Sequence, residues 1–205
     1  MTQVDKEHYA FGSYTDIDRW SSYYFQLEQI LSLRPQSVLE VGVGERVVKD
    51  YLERKGIKHQ AVDSATDLRP DIVGDVRKLP CQDDSFEVVC AYEVLEHLSF
   101  ADFDTALSEL ARVSKKHVLL SLPHFGPPLQ LHVKVPFLPK LRLSIKIPYH
   151  KKHTWNGQHY WEIGKKEYSP SRIRRHIEKF FVIEREFIPF ESQYHHFFTL
   201  RKKNV

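Results

Sequence analysis

The chain has 205 residues, 41% of them hydrophobic and 13% aromatic, enough to build the core of one ordinary domain and to exclude disorder as its main state. No apolar run approaches the roughly 20 residues that a membrane-spanning helix needs, and the polar start MTQVDKEHYAFGSYTDIDRW lacks the apolar stretch of a secretory signal. Lys and Arg number 30 against 27 Asp and Glu, a net +3 that is unevenly spread: Pro123 to Trp161 holds six Lys or Arg and no acid, which leaves 24 − 27, or −3, for the rest. Two cysteines, Cys81 and Cys90, cannot make a disulfide framework, and a reducing, cytoplasmic setting is the expectation.

Residues 16–33 carry Trp20, Tyr24, Leu27 and Leu31 at helical spacing, and Pro35 stops that helix. Ser37–Val41 reads as a buried strand ending in glycines, and 45–55 as a second helix with Gly56 just past its end. Strands follow at His59–Val62, Ile72–Val73 and Phe86–Ala91. Ser99-x-x-Asp102 has the form of a capping box before a helix bearing Phe103, Leu107, Leu110 and Val113. A strand at His117–Leu122, a helix capped by Ser169 with Pro170 in its first turn, and closing strands at 181–187 and 195–201 complete the series. Strands alternating with helices predict an α/β sandwich with a mostly parallel sheet.

The basic segment has its own period. Leu129, Leu131, Val133 and Val135, then Leu141, Leu143, Ile145 and Ile147, alternate with polar residues on either side of Phe137-Leu-Pro-Lys140. Period two around a turn predicts a β-ribbon with one apolar and one basic face. Packed on the body it is a lid; turned outward it meets a lipid or another apolar substrate. Its charge fits either a solvated surface or an anionic partner such as a membrane surface.

The chemistry should sit at Glu40-Val-Gly42-Val-Gly44-Glu45, between a strand and a helix, where glycines let a ligand approach the backbone. A dinucleotide is disfavoured: the third glycine is Val47, and Glu45 sets a carboxylate where phosphate would rest. No Gly-Lys-Ser/Thr follows, so a phosphate-binding Walker loop is absent. A nucleoside bearing a cation fits better. Glu40 can balance an ammonium or sulfonium, Asp63 at a strand end can accept two ribose hydroxyls, and Asp75 at the next can accept an adenine amine. That order of groups fits S-adenosylmethionine.

The chain resembles the class I S-adenosylmethionine-dependent methyltransferases of the broad type-11 group. The matching residues are Val38-Leu-Glu-Val-Gly-Val-Gly44, Ala61-Val-Asp63, Gly74-Asp-Val-Arg-Lys-Leu-Pro80, Asp83-Asp-Ser-Phe-Glu-Val-Val89 and Glu93-Val-Leu-Glu-His97, over about residues 37–122. The resemblance implies a Rossmann-like α/β fold: a seven-stranded, mostly parallel sheet of order 3-2-1-4-5-7-6, its last strand antiparallel, with helices on both faces. It implies one methyltransferase domain over 1–205 with an insert or lid at about 123–165. It also implies that Glu40, Gly42 and Gly44 hold the methionyl part, Asp63 the ribose, and Asp75 with the Val76 backbone the adenine. Tyr92 and Glu93 would then lie beside the reacting methyl. This chain departs from the family pattern at Glu45 and Arg46, and the short stretch between Asp63 and Asp75 should reduce a family helix to a turn. Gly157-Gln-His-Tyr-Trp-Glu-Ile-Gly164 resembles a segment of bacterial and archaeal members that identifies no substrate.

Methyl transfer from a sulfonium asks the protein for alignment and, with a hydroxyl acceptor, a base. The histidine candidates are His97, His124, His153 and His159, with His124 favoured by its place after the fifth strand; each is otherwise a structural or surface histidine. Glu93 is the carboxylate candidate. His150-x-x-His153 and His159 lack a matched Cys or carboxylate set at zinc spacing, so no metal is expected. Trp155, Tyr160 and Trp161 either line an acceptor pocket or form a small core of the insert, and Arg19, Trp20 and Tyr23 either close over the cofactor or belong to the helix's apolar stripe. Where methyltransferases of base amines carry Asn/Asp-Pro-Pro-aromatic, this chain reads Ala91-Tyr-Glu-Val94, which argues against nucleic acid. The reading is O-methylation of a small or lipid-like acceptor; the alternative is a non-catalytic binding module acting through the basic insert.

Overall fold

The computed structural model describes residues 16–149 and 151–203. Helix α1 (Ile17–Ser32) starts at Asp16, whose carboxylate accepts the Arg19 N–H. Strand β1 (Ser37–Val41), helix α2 (Val47–Arg54), and strands β2 (Lys58–Asp63), β3 (Ile72–Val73) and β4 (Phe86–Tyr92) follow. Helix α3 (Phe103–Val113), strand β5 (Ser114–Pro123), the ribbon strands β6 (Pro128–Val133) and β7 (Leu141–Lys146), helix α4 (Pro170–Ile177), and strands β8 (Phe181–Phe187) and β9 (His195–Lys202) complete the series. The main sheet has the order β3-β2-β1-β4-β5-β9-β8, with β9 antiparallel to both neighbours. Setting the ribbon strands aside, this is the expected 3-2-1-4-5-7-6. Between β2 and β3 there is only a 3-10 turn, Thr66–Leu68, as the short stretch between Asp63 and Asp75 predicts.

Alternation along the strands builds three layers. Val38 of β1, Val88 and Cys90 of β4 and Leu119 of β5 face α1 and α2, meeting Ile30, Val48 and Leu52. Leu39, Val41, Val89, Ala91, Val118 and Leu120 face the other way, onto Phe103, Leu107 and Leu110 of α3 and Ile173 and Ile177 of α4. Two expectations change in detail. Helix α2 begins at Val47 rather than residue 45, because Gly44 and Arg46 are left-handed. The capping box is not formed: Ser99 caps a 3-10 turn by accepting the Ala101 N–H, while the Asp102 carboxylate turns to Arg77.

The insert divides into two parts. The ribbon pairs Leu129 with Ile145, Leu131 with Leu143 and Val133 with Leu141 on one face, and Gln130 with Ser144 and His132 with Arg142 on the other. The polar face holds it to the loop between β8 and β9. Gln130 donates to the Phe190 carbonyl at 2.6 Å, Ser144 to Gln193 at 2.7 Å, and Arg142 pairs with Glu191. The apolar face is exposed, as is the turn, where Phe137 is wholly so. The second part, 157–164, returns to the body. Trp161 is fully buried against Phe100 and Phe103 and donates from Nε1 to the Leu98 carbonyl at 3.2 Å, so it is core; Trp155 and Tyr160 stay exposed. Trp161→Ala should therefore cost about 3–5 kcal/mol, read as a lower denaturant midpoint, whereas Trp155→Ala should leave the midpoint nearly unchanged.

Candidate active site

Strand β1 runs into Gly42-Val43-Gly44. Gly42 has φ +85°, and a Cβ there would lie 2.4 Å from Cγ2 of Val94. Only glycine lets this turn press against the turn that follows β4. Asp63, the last residue of β2, accepts the Val43 N–H and the Ala65 N–H, each at 2.9 Å, on its two oxygens. Its carboxylate is thus fixed beside the glycine turn, with lone pairs left for further donors. Asp75 is held by Arg77, which donates its backbone N–H at 2.8 Å and its guanidinium at 2.6 and 3.0 Å. These bonds keep Asp75 below the usual carboxylate range, and the Val76 side chain beside it is buried.

Two of the expected cofactor residues face inward. Glu40 is buried with Oε2 3.1 Å from His59 Nε2 on the neighbouring strand, and its burial raises its pKa against the pull of His59 and Lys49. Tyr92 lies in the α1 layer, where its hydroxyl donates to the Gln26 carbonyl at 3.3 Å. Helix α1 reaches the glycine turn through Tyr23, whose hydroxyl donates to Glu45 at 2.8 Å, with Trp20 edge-on to the Tyr23 ring. Glu45 thereby takes a hydrogen bond at the site where it would repel phosphate.

The turn after β4 carries the second half of the site. Glu93 has φ +54°, a strained conformation for a side chain of its size. Its N–H donates to the Ser121 carbonyl at 3.1 Å, and its carboxylate accepts the Ser121 hydroxyl at 2.8 Å. Burial pushes Glu93 up to about 7, against the opposing pull of Arg19, Ser121 and His159. Glu96 is fully buried, and neither carboxylate oxygen finds a donor among the described residues beyond its own backbone N–H. His97 and His159 meet edge-on, ring centres 5.0 Å apart. His97 Nδ1 lies 3.1 Å from the Gln158 carbonyl, and His159 Nδ1 lies 3.2 Å from Glu162 and 3.3 Å from the Tyr194 hydroxyl.

The returning segment is pinned where it crosses. Tyr160 N–H donates to the Glu96 carbonyl at 2.9 Å, and Ile163 N–H to the Pro123 carbonyl at 2.9 Å. Gly164 has φ +88°, and a Cβ there would lie 2.5 Å from the Phe125 carbonyl oxygen.

The structure brings Glu93, His97 and His159 together and places His124 elsewhere. The His124 ring is stacked on His196, with the two Nδ1 atoms 3.0 Å apart, and packs against Gly164. His196 in turn sits 2.8 Å from Glu186. Burial, with His196 and Lys146, pulls His124 down to about 3. His124 is thus a neutral strut between β5 and β9. His153 braces the segment by meeting the His159 carbonyl at 2.9 Å, and His150 lies outside the described residues. Glu96, Ser121, Glu162 and Tyr194 escaped the sequence reading. For Glu96 the signal was present, two acids and a histidine within Glu93-x-x-Glu96-His97; for Tyr194 there was none.

The sequence profile of a methyltransferase domain matches residues 39–122. Many solved structures share the fold, among them the following. The PH0226 protein from Pyrococcus horikoshii OT3 is 16% identical, with 98% of this chain and 100% of that one aligned at a TM-score of 0.62. The 1,6-didemethyltoxoflavin-N1-methyltransferase of Burkholderia thailandensis, solved with S-adenosylhomocysteine, is 16% identical over 90% and 81% of the two chains at 0.60. The magnesium protoporphyrin IX methyltransferase of Synechocystis PCC 6803, solved with bound SAM, is 13% identical over 91% and 81% at 0.60. No curated protein matches the chain in sequence.

The buried histidines set an acid limit on the fold. Burial pulls His124 and His195 to about 3, well below the ordinary 6.5. The unfolded chain therefore binds more protons than the folded one between those values. Their contribution is complete above about 6.5 and is lost as pH falls toward about 3. Each group should cost about 1.4 kcal/mol per pH unit in that window. Denaturation from pH 7 to 5 should show the decline, and His195→Asn should flatten it.

Proposed function

We propose that this chain, which carries the methyltransferase domain of the class I S-adenosylmethionine-dependent enzymes, methylates a hydroxyl oxygen of a small or lipid-like acceptor. The observation that carries the choice of oxygen is Glu93, a partly buried carboxylate next to the glycine turn whose pKa lies near neutral. Bound S-adenosylmethionine supplies a sulfonium-activated methyl group for displacement by a nucleophile. The glycine turn and the oriented Asp63 carboxylate fit a nucleoside with a charged tail. Asp63 would take the ribose, Asp75 and the Val76 backbone the adenine, and Gly42 and Gly44 the methionyl part. The residues past β4 then face the acceptor. Glu93 is placed to receive the hydroxyl proton, its pKa suited to a base at neutral pH, while the Ser121 hydroxyl holds its carboxylate in position. The B. thailandensis relative, solved with 1,6-didemethyltoxoflavin, acts on a small molecule, which supports an acceptor of that size. Cys81 and Cys90 are free thiols, in keeping with a cytoplasmic setting.

The ribbon gives the acceptor a source. The proposed reading treats 1–205 as one domain with 123–165 as its insert, and the ribbon as the part that touches an anionic bilayer. Its apolar face and the Phe137-Leu138 tip are exposed, Lys134 and Lys140 flank the tip, and no acid occurs from Pro123 to Trp161. Apolar insertion beside lysines complements an anionic surface. No helix among the described residues is long and apolar enough to cross a membrane, so contact would be peripheral.

Calorimetric titration should show S-adenosylmethionine and S-adenosylhomocysteine binding to the wild type and at least tenfold weaker binding to Asp63→Ala; equal binding would remove Asp63 from the site. Glu93→Gln should keep cofactor affinity and lose methyl transfer by about 10²-fold or more. For the ribbon, co-sedimentation with vesicles should rise with phosphatidylserine content, fall with salt, and be lost in Phe137→Ser/Leu138→Ser. Indifference to both lipid charge and salt would overturn membrane contact.

A further inference from the structure

Among the described residues, the buried carboxylates other than Glu96 each have an imidazole nitrogen within 3.2 Å. Glu40 has His59 at 3.1 Å, and Glu162 has His159 at 3.2 Å. Glu96 does not. It is wholly buried, its two oxygens accept nothing from the side chains around it, and Glu93 and Glu162 add negative charge nearby that Arg19 opposes only in part. An ionised carboxylate left in that state is costly. Something positive fits beside it.

We propose that Glu96, His97 and His159 bind a divalent first-row transition cation such as Mn²⁺ or Zn²⁺. One ligand-type atom from each lies within 4.8 Å of the others. The Nε2 atoms of His97 and His159 stand 3.9 and 4.0 Å from the same oxygen, Glu96 Oε1. These separations are too long for hydrogen bonds. Two ligands of one cation at bonds of about 2.1 Å lie about 3.0–3.4 Å apart in octahedral or tetrahedral geometry, so each imidazole would close on Glu96 by about 0.5–1 Å to share an ion.

The surroundings orient both imidazoles for the task. His97 Nδ1 faces the Gln158 carbonyl and His159 Nδ1 faces the Glu162 carboxylate. An Nδ1–H donated to an oxygen fixes the tautomer and turns the Nε2 lone pair toward the metal, the usual outer-shell arrangement of a metal-bound histidine. Two imidazoles with one carboxylate favour a transition ion over Mg²⁺ or Ca²⁺. Three protein ligands leave coordination positions for water or an acceptor oxygen. If the methyl-transfer reading holds, an ion there would lower the pKa of a bound hydroxyl. Binding of the ion itself does not depend on that reading.

The test uses chelator-stripped full chain without cofactor or acceptor. Co²⁺ is titrated by visible absorption, and Mn²⁺ and Zn²⁺ by calorimetry. The wild type should take up one equivalent. Glu96→Gln and His159→Asn should weaken binding more than tenfold, and Glu162→Gln by about tenfold through the lost outer-shell bond. Circular dichroism checks that each variant is folded; should one unfold, His97→Asn takes its place. Uptake well below one equivalent for all three ions would overturn the proposal, as would affinities equal in wild type and folded variants. S-adenosylmethionine titrated into the stripped protein should bind with unchanged affinity, so failure of the metal site is separable from failure of the cofactor site.

Discussion

The contact between Gly42 and Val94 sets the geometry of the whole site. Strands β1 and β4 are parallel neighbours with Val41 opposite Ala91, so both end at one edge of the sheet and their turns come off side by side. Each turn has a separate task. The first sets the glycine backbone beside Asp63; the second carries Glu93, Glu96 and His97. A Cβ at residue 42 would meet Val94 at 2.4 Å and force the two apart. In the proposed reaction a methyl donor and the groups that prepare an acceptor must lie within a few ångströms of each other, and this one close approach would provide that spacing.

Charge burial elsewhere in the fold follows a consistent rule. Lys49, almost wholly buried, is met by Asp71 at 2.5 Å and Glu53 at 2.9 Å. Glu186 is held at about 2, against its burial, by His196 and Arg174. His124 completes that chain as a neutral ring. Each of these networks closes on itself and has no group to offer a ligand. The cluster at Glu96 is the exception, and it lies at the carboxyl ends of the strands, where ligands bind in sheets of this kind. Unfinished electrostatics and topological position thus select the same place by independent routes.

The sheet was legible because each strand is a short apolar run bounded by turn residues, and the family motifs set their order. The cofactor half was legible because its groups lie at strand ends within 36 residues of one another, Glu40 to Asp75. The acceptor half was not. His159 reaches Glu96 across an insertion, and Tyr194 arrives from the loop before β9; neither separation leaves a local pattern. His124 was singled out by position alone; its partner His196 lies on the neighbouring antiparallel strand. Periodicity gave the ribbon its two faces. It could not say which face turns inward, since that depends on Phe190, Glu191 and Gln193 in a distant loop.

The two parts of the insert share one anchor. Lys146, at the base of the ribbon, donates to the carbonyls of His124 and Gly126, each at 2.8 Å. Ile163, four residues past His159, bonds through its backbone to Pro123 and Phe125. Both attachments fall on the four residues from Pro123 to Gly126, where Gly164 is packed too tightly against the Phe125 carbonyl to accept a side chain. The ribbon therefore cannot be displaced at its base without straining the segment that presents His159 to Glu96. An insertion that served only to cover the site would bury its apolar residues against the body. This one uses its polar face for the attachment and leaves Leu131, Leu143 and Phe137 exposed, the arrangement expected of a surface that meets a partner.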